Sequence, residues 1–469
     1  MSSKTDRVII IGAGVFGLST ALHLAKSGHS ALTVLDRSMP PVPDGSSVDI
    51  SRVIRFDYGD KVYAQLGKEA YDLWNTEEYR ESFHQGPCVW TAQRSGNGNG
   101  KSGVIQAGGS GFISKTKKIL DDLGLEWHEL EHVDALKQRF PAVAGRPIGE
   151  DFEGFYNNAA GWADAAKAIA HLRDQCIRAG VSFVTGSHGH VSSLEYDATE
   201  KGRIAALRTA DGGRITGDRF IFATGAWTAS LIPSWNSMVA TAQIVGFVRL
   251  TPAEVRQLKD LPIIFNLSTG FFSFPPHEET GYLKVACHSF GYTLSAEAGL
   301  GSESDKSISS PPSRPIPQRA NFIPKEGEAR LLAGLKEILP ELAKRGFEKT
   351  CLCWYNETPT GDFIFDYHPD YKNLFIATGG TGHAFKFLPV IGKYIAGAFT
   401  RSLSPELTDK WKWHGEYRQQ AREEIFTGDA SRKGGDGSRG GPGRREFTAE
   451  ERDTLLSLTD ALATRKARI

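Results

Sequence analysis

The amino-acid sequence predicts an α/β protein of two domains. One is a parallel-sheet domain assembled from separated stretches of chain, and the other is an α+β domain, built on an antiparallel sheet, inserted between them. Three observations carry this. The chain has 469 residues, more than one hydrophobic core ordinarily spans. A strand–helix–strand pattern opens it. Two further strands of the same β-branched and aromatic character recur far downstream, at Arg219 to Thr224 and Leu374 to Thr378.

The first strand is the continuous run Val8 to Ile11, followed by Gly12-Ala13-Gly14-Val15-Phe16-Gly17 and a helix carrying Leu18, Ala21, Leu22 and Leu24. The second strand, Leu32 to Leu35, ends at Asp36. Glycines at these spacings permit a tight turn and close backbone approach to a pyrophosphate, whose charge sits at the helix N-terminus. Asp36 stands where an acid accepts hydrogen bonds from a ribose hydroxyl, and a carboxylate there disfavours a 2′-phosphate. The unit is therefore Rossmann-like, with NAD and FAD both open on this evidence. The strand ending Ala223-Thr224-Gly225-Ala226-Trp227 resembles the second nucleotide-facing strand of FAD-linked oxidoreductases, which favours FAD. The expected cofactor contacts here are Gly12, Gly14, Val15, Phe16, Gly17, Asp36, Val191, Gly225 and Trp227.

The expected organisation is a discontinuous nucleotide-binding domain of residues 1–60, 150–230 and 350–400, with a substrate domain of residues 61–149 and 231–349. A C-terminal helix over 401–427, a Gly/Arg-rich tether over 428–446, and a terminal helix and tail over 447–469 follow. Thr448 and Glu451 have capping-box spacing ahead of Leu455 and Leu456. The breaks Ser95 to Gly103 and Gly299 to Pro324 read as loops of the inserted domain.

Charge excludes several partners. Lys+Arg and Asp+Glu balance at 55 each, so no global field draws in nucleic acid or an anionic membrane. No run reaches the roughly 18 apolar residues of a membrane span. Five scattered cysteines do not form a disulfide framework, which favours a reducing compartment. The expected location is cytoplasmic or, from the loose likeness of Ala467-Arg468-Ile469 to a peroxisomal address, peroxisomal. No metal site is expected.

Four stretches carry a closer resemblance: Gly45-Ser46-Ser47 through Ser51-Arg52-Val53-Ile54-Arg55; Leu283-Lys284-Val285; Cys353-Trp354-Tyr355; and Thr381-Gly382-His383-Ala384-Phe385-Lys386-Phe387. Over roughly Arg7 to Phe399 the chain resembles the sarcosine oxidase and fructosyl amine oxidase (amadoriase) group of flavoenzymes, which includes pipecolate and saccharopine oxidases. The resemblance implies a Rossmann-like FAD-binding domain, FAD attached covalently at Cys353, and oxidation of an amine C–N bond with O2 reduced to H2O2. Cys351, two residues away, is the rival attachment point. The resemblance places Arg52 against the flavin, Arg55 and Lys386 against a substrate carboxylate, and His383 near the amine. It makes Lys284 the promoter of oxygen reduction and Tyr355 part of an aromatic wall, with Gly382 and Lys386 also touching the cofactor. Arg52 and Arg55, three apart, would share a face on a helical or turn-like segment. A monomer is implied.

The substrate is expected to be an N-substituted or cyclic amino acid. Fructosyl amino acids, sarcosine-like N-methyl amino acids, pipecolate and saccharopine are not separated by these residues, and a secondary-metabolite amine stays open. So do a dehydrogenase using another acceptor and, from a different class, a flavin-retaining interaction module.

Overall fold

The computed structural model describes residues 3–94, 109–148, 151–296, 308–312, 320–419, 426 and 437–466. The break at Ser95 to Gly103 and the tripeptide Ala467-Arg468-Ile469 lie outside them.

The strand Val8–Ile11 is fully buried and sits mid-sheet, paired in parallel with Leu32–Leu35 on one side and Arg219–Phe222 on the other. Ser182–Val184 extends the sheet beyond Leu32–Leu35, and Leu374–Thr378 extends it beyond Arg219–Phe222. Ile364–Tyr367 closes that edge in antiparallel sense. A central strand buried on both faces must be continuously apolar, which is why Val-Ile-Ile-Ile reads as it does. The helix Val15–Lys26 covers one face and buries Leu18, Ala21, Leu22 and Leu24.

The second sheet has Val239–Arg249 as its longest strand, eleven residues, flanked in antiparallel sense by Tyr282–Cys287 and by Lys349–Glu357. Phe271–Ser273, Ile263–Asn266, Cys88–Gln93, Phe152–Asn157 and His128–Leu130 continue it. The pairing is antiparallel except between Ile263–Asn266 and Cys88–Gln93 and at the edge pair Tyr292–Thr293 with Arg445–Glu446.

Four expectations change. Phe152–Asn157, and Lys349–Glu357 from its second residue on, lie inside stretches expected in the nucleotide domain, yet both strands hydrogen-bond into the antiparallel sheet. The strand of Cys353 therefore belongs to the antiparallel sheet. Arg52 lies on the short strand Arg52–Ile54, paired with Gly161–Ala163, so Arg52 and Arg55 turn to different partners instead of sharing a helical face. Of the helix expected over 401–427, the described residues form Pro405–Lys410 and a single turn Gly415–Gln419, separated where Trp411 turns inward and its indole donates to the Tyr63 hydroxyl at 3.1 Å, and residues 420–425 and 427 lie outside the described residues.

The Gly/Arg stretch is no free tether over residues 437–446. Arg439 is 2% exposed and Arg445–Glu446 pairs with Tyr292–Thr293. Glycine makes this seating possible: a side chain at Gly440 would place Cβ 2.0 Å from the Leu267 carbonyl. The terminal helix Ala449–Lys466 forms as expected, with its capping box closed by Glu451 N to Thr448 Oγ1 at 3.2 Å and Thr448 N to Glu451 Oε2 at 2.9 Å.

Candidate active site

A cavity of about 680 Å³ is lined from both sheets. Every residue expected in the site lines it except Gly17. Gly17 acts one layer back: a Cβ there would lie 1.8 Å from the Gly12 carbonyl, so only glycine lets the helix start against its own turn.

At one end the Ala13 amide donates to Asp36 Oδ2 at 2.7 Å and the Val15 amide to Ser47 Oγ at 3.0 Å. Burial pushes the Asp36 carboxyl up, and the Ala13 amide and Arg37 oppose this. Arg37, an unexpected lining residue, pairs with Asp44 at 3.0 Å and lies 4.5 Å over the Trp227 ring. Arg37 Nη1 and Trp227 Nε1 are buried donors with no partner among the described residues. Glycine turn, helix N-terminus, ribose-ready acid and spare donors all fit an adenine dinucleotide.

At the other end, the left-handed turn through Gly379 (φ 73°), Thr381 (φ 44°) and Gly382 (φ 70°) follows the strand Leu374–Thr378. A Cβ at Gly382 would meet the Tyr355 ring at 2.2 Å, so the turn lies directly on that ring. The turn delivers His383 and Lys386, and the Trp74 indole fixes it by donating to the Lys386 carbonyl at 2.6 Å. Lys386 Nζ donates to the Tyr58 hydroxyl at 2.9 Å and to the His383 carbonyl at 2.8 Å. The Tyr58 hydroxyl lies 3.1 Å from His383 Nδ1, and His383 Nε2 lies 3.0 Å from the Gly361 carbonyl. A carbonyl only accepts, so Nε2 carries the proton and Nδ1 accepts from Tyr58. This neutral tautomer agrees with the imidazole being held well below its usual pKa by burial and then by Lys386.

Arg55 is buried between aromatic rings, its guanidinium carbon 4.4 Å from the Tyr58 centroid and 4.6 Å from that of Trp90, and it donates to the Asp57 carbonyl. Tyr58 thus touches Arg55, His383 and Lys386 at once. Between the two ends, Asp49 joins two cations: Lys284 Nζ at 2.7 Å and Arg52 Nη1 at 2.5 Å. Lys284 also donates to the Ser51 carbonyl at 2.8 Å. Burial lowers its pKa to about 8, with Asp49 opposing.

Cys353 lines the cavity, 3.5 Å from Arg52 Nη2. Cys351 is buried two residues along the same strand and is not among the lining residues. Burial raises the Tyr355 hydroxyl's pKa, so that wall residue stays neutral.

Asp49, Tyr58 and Arg439 were missed in the sequence. The first two sit inside or three residues beyond the arginine motif, a signal that was available. Arg439 had none: it comes from the glycine-rich stretch, forms a buried pair with Glu357 and donates to the carbonyls of Ser289 at 2.9 Å and Thr381 at 3.0 Å. It thereby ties the chain's last segment to the His383 turn. Outside this cavity, Asp164, His277 and Glu279 cluster, but Lys167 is ion-paired to both carboxylates.

Comparison with known proteins agrees with this geometry. The family described as FAD dependent oxidoreductase (DAO) matches residues 7–398. L-saccharopine oxidase of Schizosaccharomyces pombe is 30% identical over 87% of this chain and 92% of its own. Monomeric sarcosine oxidase of Bacillus sp. (strain NS-129) is 28% identical over 84% and 93%. The crystal structure of the deglycating fructosamine oxidase (Amadoriase II) from Aspergillus fumigatus superposes with a TM-score of 0.77 at 28% identity, covering 95% of this chain and 96% of that one. Among the described residues, no helix is long and apolar enough to cross a membrane.

Proposed function

The chain belongs to the FAD dependent oxidoreductase (DAO) family, as an amine-oxidising enzyme of the sarcosine, saccharopine and fructosyl amino acid oxidase type, and on that premise we propose that it oxidises the C–N bond of an N-substituted or cyclic amino acid to an imine, with O2 reduced to H2O2. One observation carries the reading: a single cavity joins a dinucleotide-binding end to a buried Arg55–Tyr58–Lys386–His383 group, with Lys284 and Cys353 between.

Gly12, Gly14, Val15, Phe16, Asp36, Arg37, Val191, Gly225 and Trp227 would hold the nucleotide half of FAD, and Arg52, Gly382 and a thioether at Cys353 the flavin half. FAD, when bound, supplies the acceptor for a hydride equivalent and the route for its electrons to oxygen. Arg55 and Lys386 bind the substrate carboxylate, which orients the molecule and neutralises two buried cations. His383, neutral and pinned by Tyr58 and Gly361, keeps positive charge away from the amine, so that the amine reacts as the free base. Lys284 is a desolvated cation set to stabilise negative charge developing on oxygen. Tyr355 closes the wall and keeps water out.

The likeness to a deglycating enzyme supports a second reading, a fructosyl amino acid as substrate. A peroxide-releasing reaction also suits a peroxisomal address at Ala467-Arg468-Ile469. The test is anaerobic mixing of the flavin-loaded protein with N-methyl, cyclic and fructosyl amino acids. Bleaching of the flavin, followed by stoichiometric peroxide when oxygen is admitted, is expected. Bleaching without peroxide would make it a dehydrogenase, and no bleaching with any amine would favour a non-enzymatic, flavin-retaining role.

A further inference from the structure

Four rings connect the carboxylate anchor to the buried lysine. Arg55 lies on Trp90, Trp90 stacks on Phe265 with centroids 4.3 Å apart, and Phe265 stacks on Phe272 at 4.8 Å. Phe274 meets Phe272 edge-on at 5.6 Å, and Lys284 Nζ stands 4.8 Å from the Phe274 centroid. Trp90 is the fully buried backing, while Phe265, Phe272 and Phe274 line the cavity. The row follows from the sheet: Phe265 pairs with Phe272 across neighbouring strands, and Trp90 pairs with Phe265 on the other side.

Two nearby polar side chains, Gln243 and Arg439, are already engaged. Gln243 donates to Thr241 Oγ1 at 3.2 Å and accepts from Ser289 Oγ at 3.1 Å. Arg439 is engaged with Glu357, Ser289 and Thr381. A hydroxylated chain, or a second carboxylate, laid along the row would give up water hydrogen bonds and meet ring faces and edges in exchange, because the Lys284 ammonium at the far end is already paired with Asp49 at 2.7 Å and donates to the Ser51 carbonyl at 2.8 Å.

We propose that the substrate is an amino acid bearing an apolar, aromatic or branched substituent, selected by Phe265, Phe272 and Phe274 against polyhydroxylated and dicarboxylic ones. The inference rests on the amino acid reading above, in which Arg55 and Lys386 hold one carboxylate. Beyond that carboxylate, the surface between Arg55 and Lys284 offers apolar contact area, and contact area is what discriminates there.

The experiment uses the flavin-loaded wild-type protein and three carboxylates without an oxidisable amine: 3-phenylpropanoate, gluconate and glutarate. Each is titrated against the flavin absorbance spectrum. The expected result is a Kd for 3-phenylpropanoate about tenfold or more below those of the other two, since one unmatched buried hydroxyl alone costs roughly tenfold. Phe272→Asn, which sets an amide into the row, should narrow that gap. Gluconate or glutarate binding as tightly as 3-phenylpropanoate overturns the inference while leaving the carboxylate anchor intact. If none of the three perturbs the flavin, the anchor itself is wrong, and the amino acid reading falls together with the inference.

Discussion

The two ends of the cavity are built on different principles. At the nucleotide end, contacts come from backbone and from one uninterrupted stretch, Gly12 to Asp36, joined by Ser47, Val191 and the Gly225–Trp227 turn. At the reactive end, side chains arrive from stretches hundreds of residues apart: Arg55 and Tyr58, Lys284, Cys353 and Tyr355, His383 and Lys386, and Arg439 behind them. A phosphate-binding turn needs a conformation, which a short glycine pattern specifies. A site that holds buried charges needs partners for each of them, and those come from wherever the fold brings the chain.

Substitutions should separate the two kinds of construction. The largest effect is expected at the backbone-built end: Gly17→Ala places a methyl group inside the Gly12 carbonyl, which should cost about 3 kcal/mol of stability and abolish flavin retention. Thermal melting together with the flavin-to-protein absorbance ratio measures both.

At the reactive end, substitutions should act on rates and substrate binding while the flavin is retained. Lys284→Met should slow flavin reoxidation by oxygen by about 10²–10³-fold and leave anaerobic reduction by substrate far less affected. The pH dependence gives the sign. Burial holds the Lys284 ammonium at about 8 instead of 10.5, so the cation is present below that pH and lost above it. Reoxidation should therefore decline as pH rises through about 8, and the decline should vanish in the methionine variant. A step near 10.5 in the wild type would mean that the lysine is not desolvated in the working enzyme.

Arg55→Lys keeps the charge but removes the planar fork. We expect a loss of about 3 kcal/mol in carboxylate recognition, roughly a hundredfold in kcat/KM, carried mainly by KM. The smallest effect is expected for Tyr58→Phe, which leaves the ring under Arg55 and deletes the hydroxyl shared by Lys386 and His383. A cost of about 1 kcal/mol should raise KM roughly fivefold. Steady-state kinetics on the best amine of the panel measures both.

The same contrast explains what was legible in the sequence. The βαβ unit could be read because its strands, glycines and acid are contiguous, and the strands at Arg219 and Leu374 because a doubly buried strand is apolar throughout. The reactive residues were legible only through short stretches resembling a family. Their partners were harder to see: Asp49 lay inside a quoted motif without a reason to single it out, and Tyr58 only three residues past its end. Arg439 was invisible, since glycine-rich sequence reads as a linker unless something is known of the groove that receives it. That the strands Phe152–Asn157 and Lys349–Glu357 pair into the antiparallel sheet was not legible, because strand identity can be read from pattern, whereas strand pairing is decided by residues far away in the chain.

Cys353 is where the two constructions meet, on a strand of the substrate sheet with its side chain on the cavity wall beside Arg52. The most direct test of the account is acid precipitation of the purified yellow protein followed by mass spectrometry of its peptides. The account predicts that flavin stays on the peptide containing Cys353, still does so in Cys351→Ala, and moves to the supernatant in Cys353→Ala. Release of all the colour from the wild type, or flavin mass on Cys351 alone, would contradict it.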